Sequence, residues 1–193
     1  LNSINASASA IVNYISMRAG IGINAGRIRG LGSKIRGGEA FHTGVLPFYK
    51  YFQTAVKSCS QGGVRGGAAT LFYPIWHSEF ESLIVLKNNR GVEENRIRQL
   101  DYGVQINGYM YKRLTKNIPI SLFSPNDVPG LYDAFFADQD EFARLYEMYE
   151  ADHSIKRKVI PALDIFSSIG GERASTGRIY IQNVDYCNTN SPS

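Results

Sequence analysis

The sequence predicts an α/β fold, on three observations. Apolar residues recur at helical spacing in several stretches, and short β-prone runs lie between them, so helices and strands should alternate along the chain. Glycine-rich segments stand next to two of the strand candidates, the place where α/β proteins usually put ligands. The chain has 193 residues, enough for one sizeable core and too few for two independent ones, so residues 1–193 are read as a single unit with largely buried strands.

Each element has its own justification. Ile4, Ala8, Ile11, Val12, Ile15 and Ala19 are three or four residues apart, which predicts an amphipathic helix over 3–19 with Ser3 as its cap and Gly20 as its stop. Residues 21–25 are short, β-prone and bounded by glycines, and read as a buried strand. Residues 26–41 hold five glycines and are expected to be a loop. Leu46, Phe48, Tyr49, Phe52, Ala55 and Val56 predict a helix over 44–58, with Pro47 tolerated in its first turn. A second glycine loop covers 59–68, followed by a strand at 69–73 and a helix at 77–87. Further strands are expected at 102–106, 120–123 and 178–183, with helices at 109–116, 140–151 and 158–168.

Composition excludes several classes. Hydrophobic residues make up 44% and charged residues 20%, so the chain is not of disordered type. No run approaches the roughly 20 apolar residues of a membrane span, and the start lacks the pattern of a signal peptide, so a cytoplasmic location is expected. Cys59 and Cys187 are too few for a disulfide framework or a four-ligand zinc site, and read as ordinary reduced residues. The missing initiator methionine and the polar end predict a piece of something longer.

The net charge of +4 is unevenly spread. Residues 1–66 carry eight basic side chains against one acid, Glu39, and the remainder carries 13 basic against 16 acidic. A positive half rich in glycine and arginine suits a polyanionic ligand such as a nucleotide phosphate chain; a nucleic-acid surface is less suited, because the cations cluster near glycine loops instead of along one helix face.

Two motifs fail on context. Gly20-Ile-Gly22-Ile-Asn-Ala25 fits a loose dinucleotide pattern, but its glycines precede or fall within the strand instead of following it. Gly62-Gly-Val-Arg-Gly-Gly67 lacks the Gly-Lys-Ser/Thr ending of a phosphate-binding P-loop. What remains is more general. Arg29 and Arg36 are two guanidinium forks on a glycine-rich loop, able to bracket a triphosphate or simply to face solvent. Arg65 is flanked by glycine pairs that let backbone approach a ligand, and Gln61 offers the donor and acceptor that reading a nucleobase edge requires. His42, His77 and His153 do not fall at metal-ligand spacings and read as structural or surface groups. The carboxylates from Asp138 to Asp152 read as a solvated helix face, and the tyrosines as core packing.

Several segments together resemble the large, catalytic subunit of class I ribonucleotide reductase: Arg18-Ala-Gly-Ile-Gly-Ile-Asn24, Gly37-Gly-Glu-Ala-Phe-His-Thr-Gly44, Lys57-Ser-Cys-Ser-Gln-Gly-Gly-Val-Arg-Gly-Gly-Ala-Ala69, Leu86-Lys-Asn-Asn-Arg-Gly91, Asp101-Tyr-Gly-Val-Gln-Ile106, Leu122-Phe-Ser-Pro125 and Glu172-Arg-Ala-Ser-Thr-Gly-Arg-Ile-Tyr180. They follow one another in family order across the whole chain.

The resemblance implies part of a ten-stranded α/β barrel, namely the first half-barrel with flanking helices. It implies a parent enzyme that reduces ribonucleoside diphosphates to deoxyribonucleotides through a cysteine thiyl radical, in support of DNA replication. It implies ATP or deroxynucleoside triphosphate (dNTP) effectors with Mg2+, a small subunit whose metal cofactor supplies the radical, a homodimer of large subunits, and thioredoxin or glutaredoxin as reductant. Leu1, Arg29, Ile35 and Arg36 match effector-binding positions. Gln61, Arg65 and Gly66 match a second loop that relays effector identity to the substrate, and His42 would sit near that site. The radical cysteine would lie beyond Ser193, so no catalytic residue and no metal ligand is assigned here, and the isolated chain is expected to be inactive. Asn2, Gly30 and Lys34 depart from commoner family residues, and Gly170-Gly171 puts a local helix in doubt. Two alternatives stay open: a related radical reductase of another class, and a split chain that binds nucleotides without catalysis.

Overall fold

A computed structural model of the chain describes residues 1–61 and 65–191. In chain order the elements are α1 (Asn2–Ser16), β1 (Ile21–Asn24), β2 (Lys34–Ile35), β3 (Ala40–Phe41), α2 (Leu46–Lys57), β4 (Ser60–Gln61), β5 (Arg65–Gly66), β6 (Ala69–Pro74), α3 (Phe80–Ile84), β7 (Asp101–Ile106), α4 (Gly108–Thr115), β8 (Ile120–Phe123), α5 (Leu131–Ala137), α6 (Gln139–Ala151), β9 (Arg157–Ile160), α7 (Ala162–Thr176), β10 (Ile179–Asn183) and α8 (Val184–Asn190).

Four strands form one parallel sheet in the order β1-β6-β7-β10. Each strand neighbours the next parallel strand in the chain, with helical crossovers between. That is the topology of a barrel wall, unlike a doubly wound sheet whose strand order reverses at its middle. The two inner strands supply most of the sheet's buried apolar side chains, among them Leu71, Tyr73, Tyr102, Val104 and Ile106. Phe72 pairs with Gly103 across β6 and β7. A Cβ at Gly103 would stand 2.4 Å from the Phe72 ring, so the glycine is what lets that aromatic lie over its neighbour strand.

Helices cover the sheet where their apolar faces predict. Helix α1 packs alongside α2, through a core that includes Ile11, Ile15, Phe52 and Val56. Asn107 caps α4 by accepting from the Met110 N–H, and Asp138 caps α6 by accepting from the Asp140 and Glu141 N–H groups. Trp76, wholly buried, meets Phe135 edge-on at 5.9 Å and is flanked by Phe142 and Tyr132, which ties α5 and α6 to the end of β6. Beside them Arg113, 7% exposed, donates to Pro119 O, the Tyr109 hydroxyl and the Glu150 carboxylate, and lies over the Tyr146 ring. Glu150 also accepts from Ser121 Oγ at 2.7 Å, so this carboxylate belongs to a buried network, against the expectation of a solvated face.

Other expectations are corrected. The first helix starts one residue early with Leu1 at its cap position and no side-chain cap, so Ser3 lies inside its first turn; it ends at Ser16, before Arg18 turns to a left-handed φ of 64°. The 26–41 loop contains the β2–β3 hairpin. The helix expected at 77–87 is confined to α3, because His77 bridges to Phe123, the Ser78 N–H bonds to Phe123 O, and the chain then turns through Ser78 and Glu79, with the Phe80 N–H bonding His77 O. The helix expected at 158–168 is strand β9, antiparallel to β8, followed after Pro161 by α7. Helix α7 runs through Gly170 and Gly171 without a break. No helix among the described residues is long and apolar enough to cross a membrane.

Candidate effector cleft

The first glycine-rich segment leaves the carboxyl end of β1 and folds back as a hairpin. The ladder of β2 and β3 is extended by bonds from Gly32 N to His42 O and from His42 N to Ser33 O, at 2.9 and 2.8 Å. Its tip, Arg36-Gly37-Gly38, has φ of 50°, 66° and 103°. The left-handed region costs a non-glycine residue about 1–2 kcal/mol, so Arg36 is held at the tip against its own preference. Arg29 braces the near side by donating from Nη1 to Lys34 O at 3.0 Å. At the base, Ser124 Oγ lies 2.6 Å from Ser33 Oγ and accepts from the Gly30 N–H at 3.1 Å.

Between this hairpin and the starts of α1 and α2 lies a cleft of about 640 Å³. Leu1, Arg29, Ile35 and Arg36, the four residues matched to effector binding in the sequence, all line it. Arg27, His42, Thr43, Ser3 and Ser7 add polar groups, and Ile23, Phe41, Phe48 and Phe52 give it apolar walls. Among the described residues, three arginines and no Asp or Glu line the space. The first turn of α1 adds backbone N–H groups at its positive end, which favours an anion beside it. His42 stacks on Phe48 at 5.3 Å, and its Nδ1 accepts from the Gly44 N–H. Partial burial, then the nearby Arg29 charge, lower its pKa, so it stays neutral at pH 7 and adds no further charge. Arg27 also stands 5.0 Å over the Tyr132 ring and pairs with Asp133. Sequence reasoning did not single out Arg27, Ser3, Ser7 or Thr43; their inclusion follows from the return of the chain past α1, which residue spacing does not reveal.

The second segment lies elsewhere. Residues 62–64 of the expected 59–68 loop are outside the described residues. Around them, Ser60 pairs with Gly66 and Gln61 with Arg65 in an antiparallel two-residue ladder. Lys57 Nζ donates to Gly67 O at 2.8 Å, and a Cβ at Gly67 would lie 2.4 Å from Val56 O and 2.6 Å from Ile15 Cγ2. This segment therefore sits where α1 and α2 end, whereas the cleft sits where they begin. Ile4 and Ile15 are separated by about 16 Å of helix at 1.5 Å per residue. Within one copy of the chain the two glycine segments occupy opposite ends of the helix pair, the first after β1 and the second before β6.

Cys59 is half-buried, Cys187 is exposed, and both are free. Among the described residues no group of three or more His, Cys, Asp and Glu side chains could hold a metal ion.

The model of the ribonucleotide reductase barrel domain matches residues 1–193. The chain belongs to the ribonucleotide reductase barrel family. It is 75% identical over 192 residues to ribonucleoside-diphosphate reductase 1 subunit alpha of Salmonella typhimurium, covering all of this chain and 25% of that protein. It is 74% identical over 192 residues to the corresponding subunit of Escherichia coli, with the same coverage. Against ribonucleoside-diphosphate reductase subunit alpha of Enterobacteria phage T4 it is 59% identical over 193 residues, all of this chain and 26% of that one. The reductase barrel segment described here thus spans about a quarter of the length of the curated relatives it matches. Its four parallel strands are part of an α/β barrel.

Proposed function

We propose that this chain is the effector-reading part of a ribonucleoside-diphosphate reductase large subunit, an oxidoreductase that converts ribonucleoside diphosphates to deoxyribonucleoside diphosphates. The observation that carries the reading is the gathering of Leu1, Arg29, Ile35 and Arg36 around one cationic cleft at a helix start. Arg29 and Arg36 grip the phosphates of a dNTP or ATP effector, and the apolar walls take the nucleoside. Mg2+ enters as the counter-ion of the triphosphate, since the cleft lining offers it no carboxylate. The four strands form part of the first half of a ten-stranded barrel.

Gln61, Arg65 and Gly66 act as the relay between effector and substrate, and this requires a second copy. Tyr14, Met17 and Tyr51 are exposed apolar side chains on α1, its end and α2. Two copies joined through these helices about a two-fold axis, with the helix pairs antiparallel, would bring one cleft to the other copy's 59–68 segment. A homodimer is therefore part of the mechanism: the effector held by one subunit biases the loop of the other. The thiyl-radical chemistry, the small subunit that starts it and the thioredoxin or glutaredoxin that resets it act through other parts of the parent enzyme, in the cytoplasm. The test is titration of the full-length parent and its Arg29→Ala and Arg36→Ala variants with a dNTP and Mg2+, alongside diphosphate reduction. Weakened binding in both variants is expected; unchanged binding in both contradicts the cleft assignment.

A further inference from the structure

We propose that Glu79 is the positioning residue of the phosphate-gripping hairpin, a carboxylate clasp that holds its two ends together from outside the cleft. The inference rests on the effector reading above. Glu79 Oε2 accepts from the Leu31 N–H and from the Val45 N–H, each at 3.0 Å. Leu31 enters the hairpin and Val45 leaves it into α2, so one oxygen closes a span of fifteen residues that carries Ile35 and Arg36. Gly44, at φ 90°, sits so close that a Cβ there would meet Glu79 Oε1 at 2.8 Å. A glycine is what lets the backbone turn around the carboxylate.

Glu79 is itself fixed. Its N–H donates to His77 Nδ1 at 3.1 Å, and His77 Nε2 bonds Ile28 O at 2.9 Å. The neighbouring Ser78 N–H bonds Phe123 O at 2.8 Å. The clasp is thus mounted on the end of β6 and on β8, and both strands of the hairpin base are referred to that mount. Burial raises the Glu79 pKa while the two backbone N–H bonds lower it, as expected of a half-buried carboxylate whose charge is spent on its own chain. Glu79 lies outside the cleft lining; it sets where Arg36 stands, and Arg29 is tied to the same hairpin by its bond to Lys34 O.

The experiment uses the full-length parent protein, with dTTP plus Mg2+ and inorganic tripolyphosphate as separate probes. Glu79→Ala is expected to weaken both by tenfold or more, because the phosphate grip alone is displaced. Glu79→Gln, which keeps a carbonyl oxygen for the two N–H groups, is expected to bind both within about threefold of wild type. Amide exchange should rise in Glu79→Ala at Leu31 and Val45 and stay unchanged in α6. Unaltered affinities in Glu79→Ala, an equal loss in Glu79→Gln, or exchange raised throughout the chain would each overturn the clasp. A wild-type protein that takes up neither probe would overturn the effector reading itself, and the clasp with it.

Discussion

Acid should loosen the base of the hairpin through one imidazole. His77 is wholly buried, its Nε2 facing Ile28 O and its Nδ1 accepting the Glu79 N–H, so the neutral ring carries its proton on Nε2 and both nitrogens are used. A second proton would face a donor. Burial pushes the His77 pKa down to about 4. In the unfolded chain the ring titrates near 6.5, so there it takes up a proton first as the pH falls. The stability contributed by neutral His77 is therefore complete above pH 6.5 and is lost as the pH falls towards 4, reaching about 3 kcal/mol by its lower end. Glu79 works in the opposite sense: its raised pKa means that the native state gains a proton before the unfolded one, which adds stability as the pH falls. Comparison with a His77→Gln variant cancels that contribution and those of the remaining carboxylates. Urea denaturation of both chains from about pH 7.5 to about pH 4.5 is expected to show the gap between them narrowing by roughly 2–3 kcal/mol. Parallel stability curves for the two would refute the buried, neutral His77.

Two further outcomes are expected. Arg113→Met should cost about 2–3 kcal/mol in the same denaturation, since it leaves the part-buried Glu150 carboxylate without its cation, and a second Glu150→Met change should recover part of it; a single variant within 1 kcal/mol of wild type would mean that the network contributes little. Arg29→Ala and Arg36→Ala should each weaken triphosphate binding by roughly ten- to hundredfold, the worth of one or two charge-assisted bonds, as read by equilibrium titration.

Sequence pattern reached the parallel strands because each is a short β-prone run beside glycine or polar residues, and it reached α4 and α6 because their apolar faces are regular. It failed where distant contacts decide. Val159 and Ile160 lie in a strand because β8 is there to pair with them, and Pro161 hides the boundary. His77 to Glu79 stay out of the helix because of Ile28, Leu31, Val45 and Phe123, residues 34 to 49 positions away. Strands of two residues, such as β2 and β3, are too short to have a period. At the cleft, Arg29 and Arg36 were visible as cations on a glycine-rich loop, and Leu1 and Ile35 only through family resemblance. That the 59–68 segment lies at the other end of α1 and α2 depends on the direction in which the helices run past each other, which no spacing of residues encodes. Glu79 was invisible for a simpler reason: a carboxylate that bonds backbone has no sequence signature.

The most direct test of the proposed relay is a matrix of rates: reduction of the four ribonucleoside diphosphates by the full-length parent protein, each under each candidate effector, for wild type, Gln61→Ala and Arg65→Ala. Wild type should change its preferred substrate with the effector, and both variants should respond to all effectors alike. Variants that keep every wild-type preference would contradict the account.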